Sequence, residues 1–135
     1  MNHWLLKSDP ETYGFDDLER DKTTTWDGVR NNQTLIYLRQ MKKDDLALIY
    51  HSGGDKHVVG LAEVIRGPYP DPKLEDRKLV VVDLKFKQRL PRPVTLAQIK
   101  ADPDFLEFAL VRISRLSVMP VPAPLWKKLR TMGGL

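Results

Sequence analysis

Cysteine is absent from the 135-residue chain. Its absence excludes disulfides, thiolate nucleophiles, iron–sulfur clusters and cysteine-ligated zinc together. Long apolar runs are missing as well: nothing approaches the roughly 18 residues that cross a bilayer. The start, Met1-Asn2-His3-Trp4-Leu5-Leu6-Lys7, has neither the basic opening nor the apolar stretch of about seven residues that a signal peptide requires. A soluble, cytoplasmic protein with no membrane partner is expected. Histidine is scarce, and His3, His51 and His57 lack the spacing of a metal-binding set. No cofactor and no metal are expected. A phosphate-cradling Gly-x-x-x-x-Gly-Lys loop and a Gly-x-Ser-x-Gly elbow are both missing. His51 and Ser52 are neighbours, and neighbours on a strand point to opposite faces, so they form no nucleophile–base pair if the strand runs through them. A dyad of His51 with Ser8 or Asp71 stays open as an enzymatic alternative.

What remains is a chain of single-domain length. It is expected to act as a monomer, and one domain of this size can bury about two thirds of its unfolded surface. The net charge of +4, from 22 basic and 18 acidic residues, permits a phosphate backbone as partner without requiring one. There is no internal repeat or flexible linker, and eight of the ten prolines cluster at expected turns or between elements: Pro68, Pro70 and Pro72, Pro91 and Pro93, and Pro120, Pro122 and Pro124.

The hydropathy pattern predicts strands over 3–7, 46–50 and 57–66, the last two joined by the Ser52-Gly53-Gly54-Asp55-Lys56 turn. The run 46–50 is apolar throughout, as in a strand buried on both faces. Residues 79–87 alternate, with Val80, Val82, Leu84 and Phe86 opposite Asp83, Lys85 and Lys87. A last strand is expected within 111–121. Helices are expected over 15–19, 29–41 (with Val29, Ile36, Tyr37 and Met41 on one face), 95–101 capped by Thr95, briefly after Pro103, and over 125–131. This order is α+β, a mixed and mostly antiparallel sheet expected to curl into a small barrel with inserted and flanking helices.

Of the three tryptophans, Trp4 lies in an apolar strand and Trp126 in an amphipathic helix, where core packing is the ordinary role. Trp26 differs. It sits in Thr23-Thr24-Thr25-Trp26-Asp27-Gly28-Val29-Arg30-Asn31, an indole among hydroxyls, a carboxylate, a guanidinium and an amide. A flat apolar face beside donors and acceptors is what nucleobase recognition needs, stacking for affinity and edge hydrogen bonds for identity. The alternative is a tryptophan that plugs the barrel end, with Asp27 and Arg30 paired to hold the turn.

The segments Trp4-Leu5-Leu6-Lys7-Ser8-Asp9-Pro10, Trp26-Asp27-Gly28-Val29-Arg30-Asn31, Tyr50-His51-Ser52, Gly60-Leu61-Ala62-Glu63-Val64, Tyr69-Pro70-Asp71-Pro72 and Arg115-Leu116-Ser117-Val118 occur in that order. In these segments the chain resembles EVE domains, within the PUA-like group of small barrels that bind RNA or modified bases. Lys7-Ser8, Trp26 and the Gly60–Val64 segment are also similar to YTH domains, which hold methylated adenine in an aromatic cage. The resemblance implies a nucleic-acid-binding module, not an enzyme, that reads a modified (methylated) base in DNA or RNA. It implies Lys7 and Ser8 lining the pocket, Trp26 as a wall, Asn31 reading a base edge, and Tyr50 or Tyr69 close by. Lys7, Arg30, Lys56 and Arg115 are the implied backbone contacts, and His51 or Ser52 would enter the pocket. Val29, Asp71 and Ser117 complete the implied ligand-binding set. The chain departs from the family pattern at Asp9 (commonly Glu), at Gln33-Thr34-Leu35-Ile36 (usually Gln-Ala-Arg-Asn) and at Leu79 (often Trp). A small-metabolite binder without a nucleic-acid partner is the remaining alternative.

Overall fold

The computed structural model describes residues 2–27, 31–113 and 115–135. In chain order the elements are β1 (His3–Ser8), α1 (Pro10–Tyr13), α2 (Phe15–Asp21), β2 (Thr23–Trp26), α3 (Asn32–Gln40), β3 (Leu46–His51), β4 (His57–Pro70), β5 (Val80–Thr95), α4 (Leu96–Ala101), a 3-10 turn (Pro103–Phe105), α5 (Ala109–Arg112), β6 (Val118–Pro120) and α6 (Ala123–Met132). The strands form one sheet in the order β2-β5-β4-β3-β1-β6. β1 and β3 run parallel, and the remaining pairs are antiparallel.

Apolar residues on both sides of the central strands explain why the sheet is covered on both faces. Along β1, Trp4 and Leu6 join one core while Leu5 joins the other. Along β3, Ala47 and Ile49 face the first core, Leu48 and Tyr50 the second. The first core is completed by Phe15 and Leu18 of α2 and Leu35 and Leu38 of α3. The second is completed by Ile99, Phe105, Phe108, Trp126 and Leu129 from the C-terminal half. At β4, Gly60 leaves room for the Phe15 ring, which a Cβ there would strike.

One buried carboxylate ties the entry of the chain to the start of β3. Asp45, 3% exposed, accepts from the Trp4 indole Nε1–H (3.0 Å), the Asn2 N–H (3.1 Å) and the Lys42 N–H (2.9 Å). Three donors offset the cost of removing the charge from water.

The expected barrel is not closed. β2 and β6 are the two edges of an open sheet and do not pair with each other among the described residues. The three-residue β6 is short, and α3 packs against β6, β5 and β4. α3 therefore covers the first-core face of the sheet beside β6.

Other expectations also change. The buried face of α3 is Thr34, Leu35 and Leu38, with Met41 just beyond it, while Ile36 is 45% exposed. The spacing of Leu35, Leu38 and Met41, not that of Ile36, marks the inner stripe. The region 111–121 is a strand only at its end, because α5 occupies its start. β4 and β5 extend beyond the expected limits to Pro70 and Thr95. Pro91 and Pro93 fit within β5 because the register with β4 jumps between Gly60↔Arg89 and Val58↔Val94, and a bulge needs no ladder donor. Among the described residues no helix is long and apolar enough to cross a membrane.

Trp126 is 5% exposed and stacks on His3 with ring centroids 4.2 Å apart. Trp126→Ala should cost about 3–5 kcal/mol, read as a lower urea midpoint at unchanged m-value. A midpoint equal to that of the parent would contradict this assignment to the core.

Candidate functional site

A cavity of about 680 Å³ opens where β1 ends. Its lining comes from six places: Lys7, Ser8 and Asp9 at the end of β1; Thr12 and Tyr13 of α1; Thr24, Thr25, Trp26 and Asp27 along and after β2; Asn31 at the start of α3; Lys73 from the loop before β5; and Ser117 from the loop before β6.

Each wall is fixed by local bonding. The Ser8 hydroxyl donates to the Tyr13 carbonyl, folding α1 back over β1, and Asp9 caps α1 by accepting from the Glu11 N–H at 3.0 Å. The Lys7 N–H donates to the Ser117 carbonyl (2.8 Å) and the Ser117 N–H to the buried Thr34 hydroxyl (3.4 Å), so Ser117 bridges β1 and α3. Asn31 caps α3 through its side-chain oxygen, which accepts from the Thr34 N–H at 3.0 Å. Its amide nitrogen is then the end able to reach a ligand.

β2 is a short edge strand held against β5 by backbone pairing, with Trp26 opposite Val82. Asp83 adds two side-chain anchors, accepting from the Thr25 hydroxyl at 2.9 Å and the Tyr69 hydroxyl at 2.6 Å. The Arg66 guanidinium lies 4.2 Å from the Tyr69 ring centroid. Trp26 is half-buried, packs on the first core and also lines the cavity. Wall and plug are thus combined in one side chain.

Lys7, Ser8, Trp26, Asn31 and Ser117 come together around the cavity. Val29 and Arg30 lie outside the described residues. The others are placed elsewhere. Tyr50 is 2% exposed in the second core, because the alternation of β3 sets it with Leu48 on the far face. Its burial pushes the phenol pKa up. His51 accepts from the Phe15 N–H through Nε2 at 3.0 Å, and its ring packs edge-on to His57 with centroids 5.7 Å apart. Ser52 is exposed and donates its N–H to the Ser8 carbonyl at 2.9 Å. Tyr69 buttresses β2 through Asp83, as above. Asp71 is 7% exposed and accepts from the Lys73 N–H at 2.9 Å, shaping the loop that brings Lys73 to the cavity. Arg115 is exposed and outside the lining. Of the cations implied as backbone contacts, Lys7 lines the cavity, Lys56 and Arg115 are exposed and outside its lining, and Arg30 lies outside the described residues. Among the described residues no hydrogen bond joins His51 to Ser8 or to Asp71: His51 accepts from the Phe15 N–H, the Ser8 hydroxyl donates to the Tyr13 carbonyl and Asp71 accepts from the Lys73 N–H.

Sequence reasoning did not single out Asp9, Thr12, Tyr13 or Lys73. A signal for Thr12 and Tyr13 was available in the Asp9-Pro10 helix start, which places the next turn directly over the strand it follows. Nothing local to Lys73 announces its part.

The lining combines one indole face, hydroxyls, an amide, two carboxylates and two ammonium groups. That chemistry can stack a flat ring and bond its polar edge. Burial, then the nearby Lys56 ammonium, push the Lys7 pKa down from its ordinary value.

His51 supplies a pH test of the arrangement. Burial first, and the neighbouring His57 second, hold its pKa below the ordinary 6.5. A histidine whose folded pKa is depressed binds fewer protons folded than unfolded. Stability is therefore highest above the unfolded value and falls as pH drops through it toward the folded one. The melting temperature should fall between about pH 7.5 and about pH 5.5. His3, also depressed, adds to the fall with the same sign. In His51→Gln, whose amide oxygen accepts without titrating, the fall should be smaller; an identical pH profile would contradict the role given to His51.

Comparison with known proteins follows the same lines. A family model described as EVE domain matches residues 2–132. A Rhodopseudomonas palustris protein solved by NMR superposes with a TM-score of 0.94 at 42% identity, over 99% of this chain and 94% of that one. The human thymocyte nuclear protein 1 structure, a complex with DNA containing 5-methylcytosine, superposes with a TM-score of 0.92 at 27% identity, over 100% of this chain and 99% of that one. Rat thymocyte nuclear protein 1 is 33% identical over 125 residues, 73% of this chain and 55% of the relative. The chain spans about half the length of the rat, mouse and human relatives it matches.

Proposed function

The chain belongs to the EVE domain family, and on that premise we propose that it is a non-catalytic module binding DNA that contains 5-methylcytosine, with the modified base held in the Trp26 cavity. The observation that carries this reading is the half-buried Trp26 set among hydroxyl, amide and carboxylate groups at the end of β1. It is supported by the human relative, whose structure is a complex with DNA of that kind.

The energetics set the division of labour. Stacking of one base on an aromatic ring contributes about 1–3 kcal/mol. Extracting that base from a duplex costs a few kcal/mol. Stacking alone therefore leaves little net affinity, and contacts to the DNA backbone must supply the rest. Lys7 and Lys73 in the lining are the described cations closest to that task, and Arg30 and Arg115 are further candidates. The added methyl is worth up to about 0.8 kcal/mol when buried, a factor of about four. Larger discrimination requires bonds to the base edge, and the lining offers the Asn31 amide, the Asp9 and Asp27 carboxylates and the Ser117 and Thr24 hydroxyls as candidates for them. A carboxylate accepting from the cytosine amino group distinguishes it from thymine, which presents a carbonyl there.

Trp26→Ala should weaken binding of a 5-methylcytosine oligonucleotide by about tenfold or more, measured by fluorescence anisotropy. Trp26→Phe, which keeps a ring for both packing and stacking, should retain the fold and part of the affinity. In the parent, bound base should quench the indole emission. Equal affinity for methylated and unmethylated DNA, or a folded Trp26→Ala that binds like the parent, would contradict the reading. A matched RNA oligonucleotide bound more tightly than DNA would redirect it to RNA.

A further inference from the structure

A second cleft of about 680 Å³ lies across the sheet end from the Trp26 cavity. Its walls are the turn before β4, with Lys56 and His57, and the junction of β5 with α4, with Pro93, Leu96 and Lys100. The walls are tied together, since the Leu96 N–H donates to the Lys56 carbonyl at 2.9 Å and His57 pairs with Thr95. Lys56 and Lys100 are exposed and form no ion pair among the described residues. Elsewhere Lys87, Arg89 and Lys128 are each matched to carboxylates.

The cleft is aligned with the cavity. Ser8 pairs with His51, His51 with His57, and His57 with Thr95, so one row of residues crosses β1, β3, β4 and β5. Three steps between neighbouring strands cover about 14 Å, the length of about four stacked nucleotides at about 3.4 Å each. At the cavity end of this row, Lys7 lies close enough to Lys56 to be destabilised as a cation. A phosphate near both would relieve that repulsion. Pro93, Leu96 and the lysine stems give the cleft an apolar floor on which sugar or base can rest.

We propose that the Lys56–Lys100 cleft receives the sugar–phosphate backbone of the strand flanking the base in the Trp26 cavity. The inference rests on the reading of that cavity as the base pocket. It assigns methyl recognition to one end of the sheet and sequence-independent backbone affinity to the other. Asp55, which also lines the cleft, opposes the approach of phosphate and gives a control of opposite sign.

The test uses the full chain, its Lys56→Gln, Lys100→Gln and doubly substituted forms, and Asp55→Asn. The probes are single-stranded DNAs of about ten nucleotides carrying one central 5-methylcytosine or one cytosine. Affinity is measured by anisotropy over a range of salt. Each lysine substitution should lower the slope of log affinity against log salt by about 0.7. It should weaken both DNAs by the same factor and leave the methyl preference intact, whereas Asp55→Asn should strengthen both. Unchanged slopes in the doubly substituted protein overturn the inference while the base pocket stands. A loss confined to methylated DNA also overturns it, by placing the lysines at the base. A parent that binds both DNAs equally removes the base pocket and with it the inference as stated, and a parent that binds neither removes both.

Discussion

The parallel pairing of β1 with β3 is the constraint on which the remaining architecture depends. Parallel neighbours cannot be joined by a tight turn and need a long crossover. Here the crossover is residues 9–45, which include α1, α2, β2 and α3. The chain leaves the end of β1, pairs as β2 with β5 at the far edge, and returns through α3 to start β3. A connection of that course passes over the end of β1, and it carries Thr12, Tyr13, Thr24, Thr25, Trp26, Asp27 and Asn31 to the cavity mouth. The cavity is thus the space between a strand end and its own crossover.

The same constraint explains how a shallow polar site stays ordered. Ser8, 8% exposed, bonds forward to the Tyr13 carbonyl through its hydroxyl and accepts from the Ser52 N–H through its carbonyl. Asp45 fixes the other end of the β1–β3 pair through Trp4, Asn2 and Lys42. Between these two anchors Leu5, Leu6, Leu48 and Ile49 are buried on both faces, so the strand that delivers Lys7 and Ser8 cannot shift register without exposing an apolar face. On the proposed reading, rigidity at the strand end would let a few weak polar contacts discriminate one base edge from another.

The central strands were legible because their patterns are strong: an unbroken apolar run in β3 and clean alternation at the start of β5. β2 was not, since Thr23–Trp26 is short, half-exposed and free of apolar alternation. Its strand character comes from a partner some 60 residues away, with Thr25 paired to Asp83. Around the cavity, Trp26 could be named from its polar surroundings, and Lys7, Ser8, Asn31 and Ser117 through the resemblance of their segments to EVE and YTH domains. Tyr50 misled for the opposite reason. Its type suits a base pocket, yet strand parity alone decides which face it takes, and parity placed it in the core. Membership of a motif says that a segment is near the site. It does not say which way each side chain points.

The central claim is that a methylated cytosine enters the cavity under the crossover. The most direct test is an amide and indole NMR titration with a short oligonucleotide carrying a single 5-methylcytosine. The account predicts the largest shifts at the Trp26 indole, Ser8, Thr24, Asn31 and Ser117, with Tyr50 and Trp126 nearly still. Large shifts centred on the second core around Trp126, with the Trp26 indole unmoved, would contradict it.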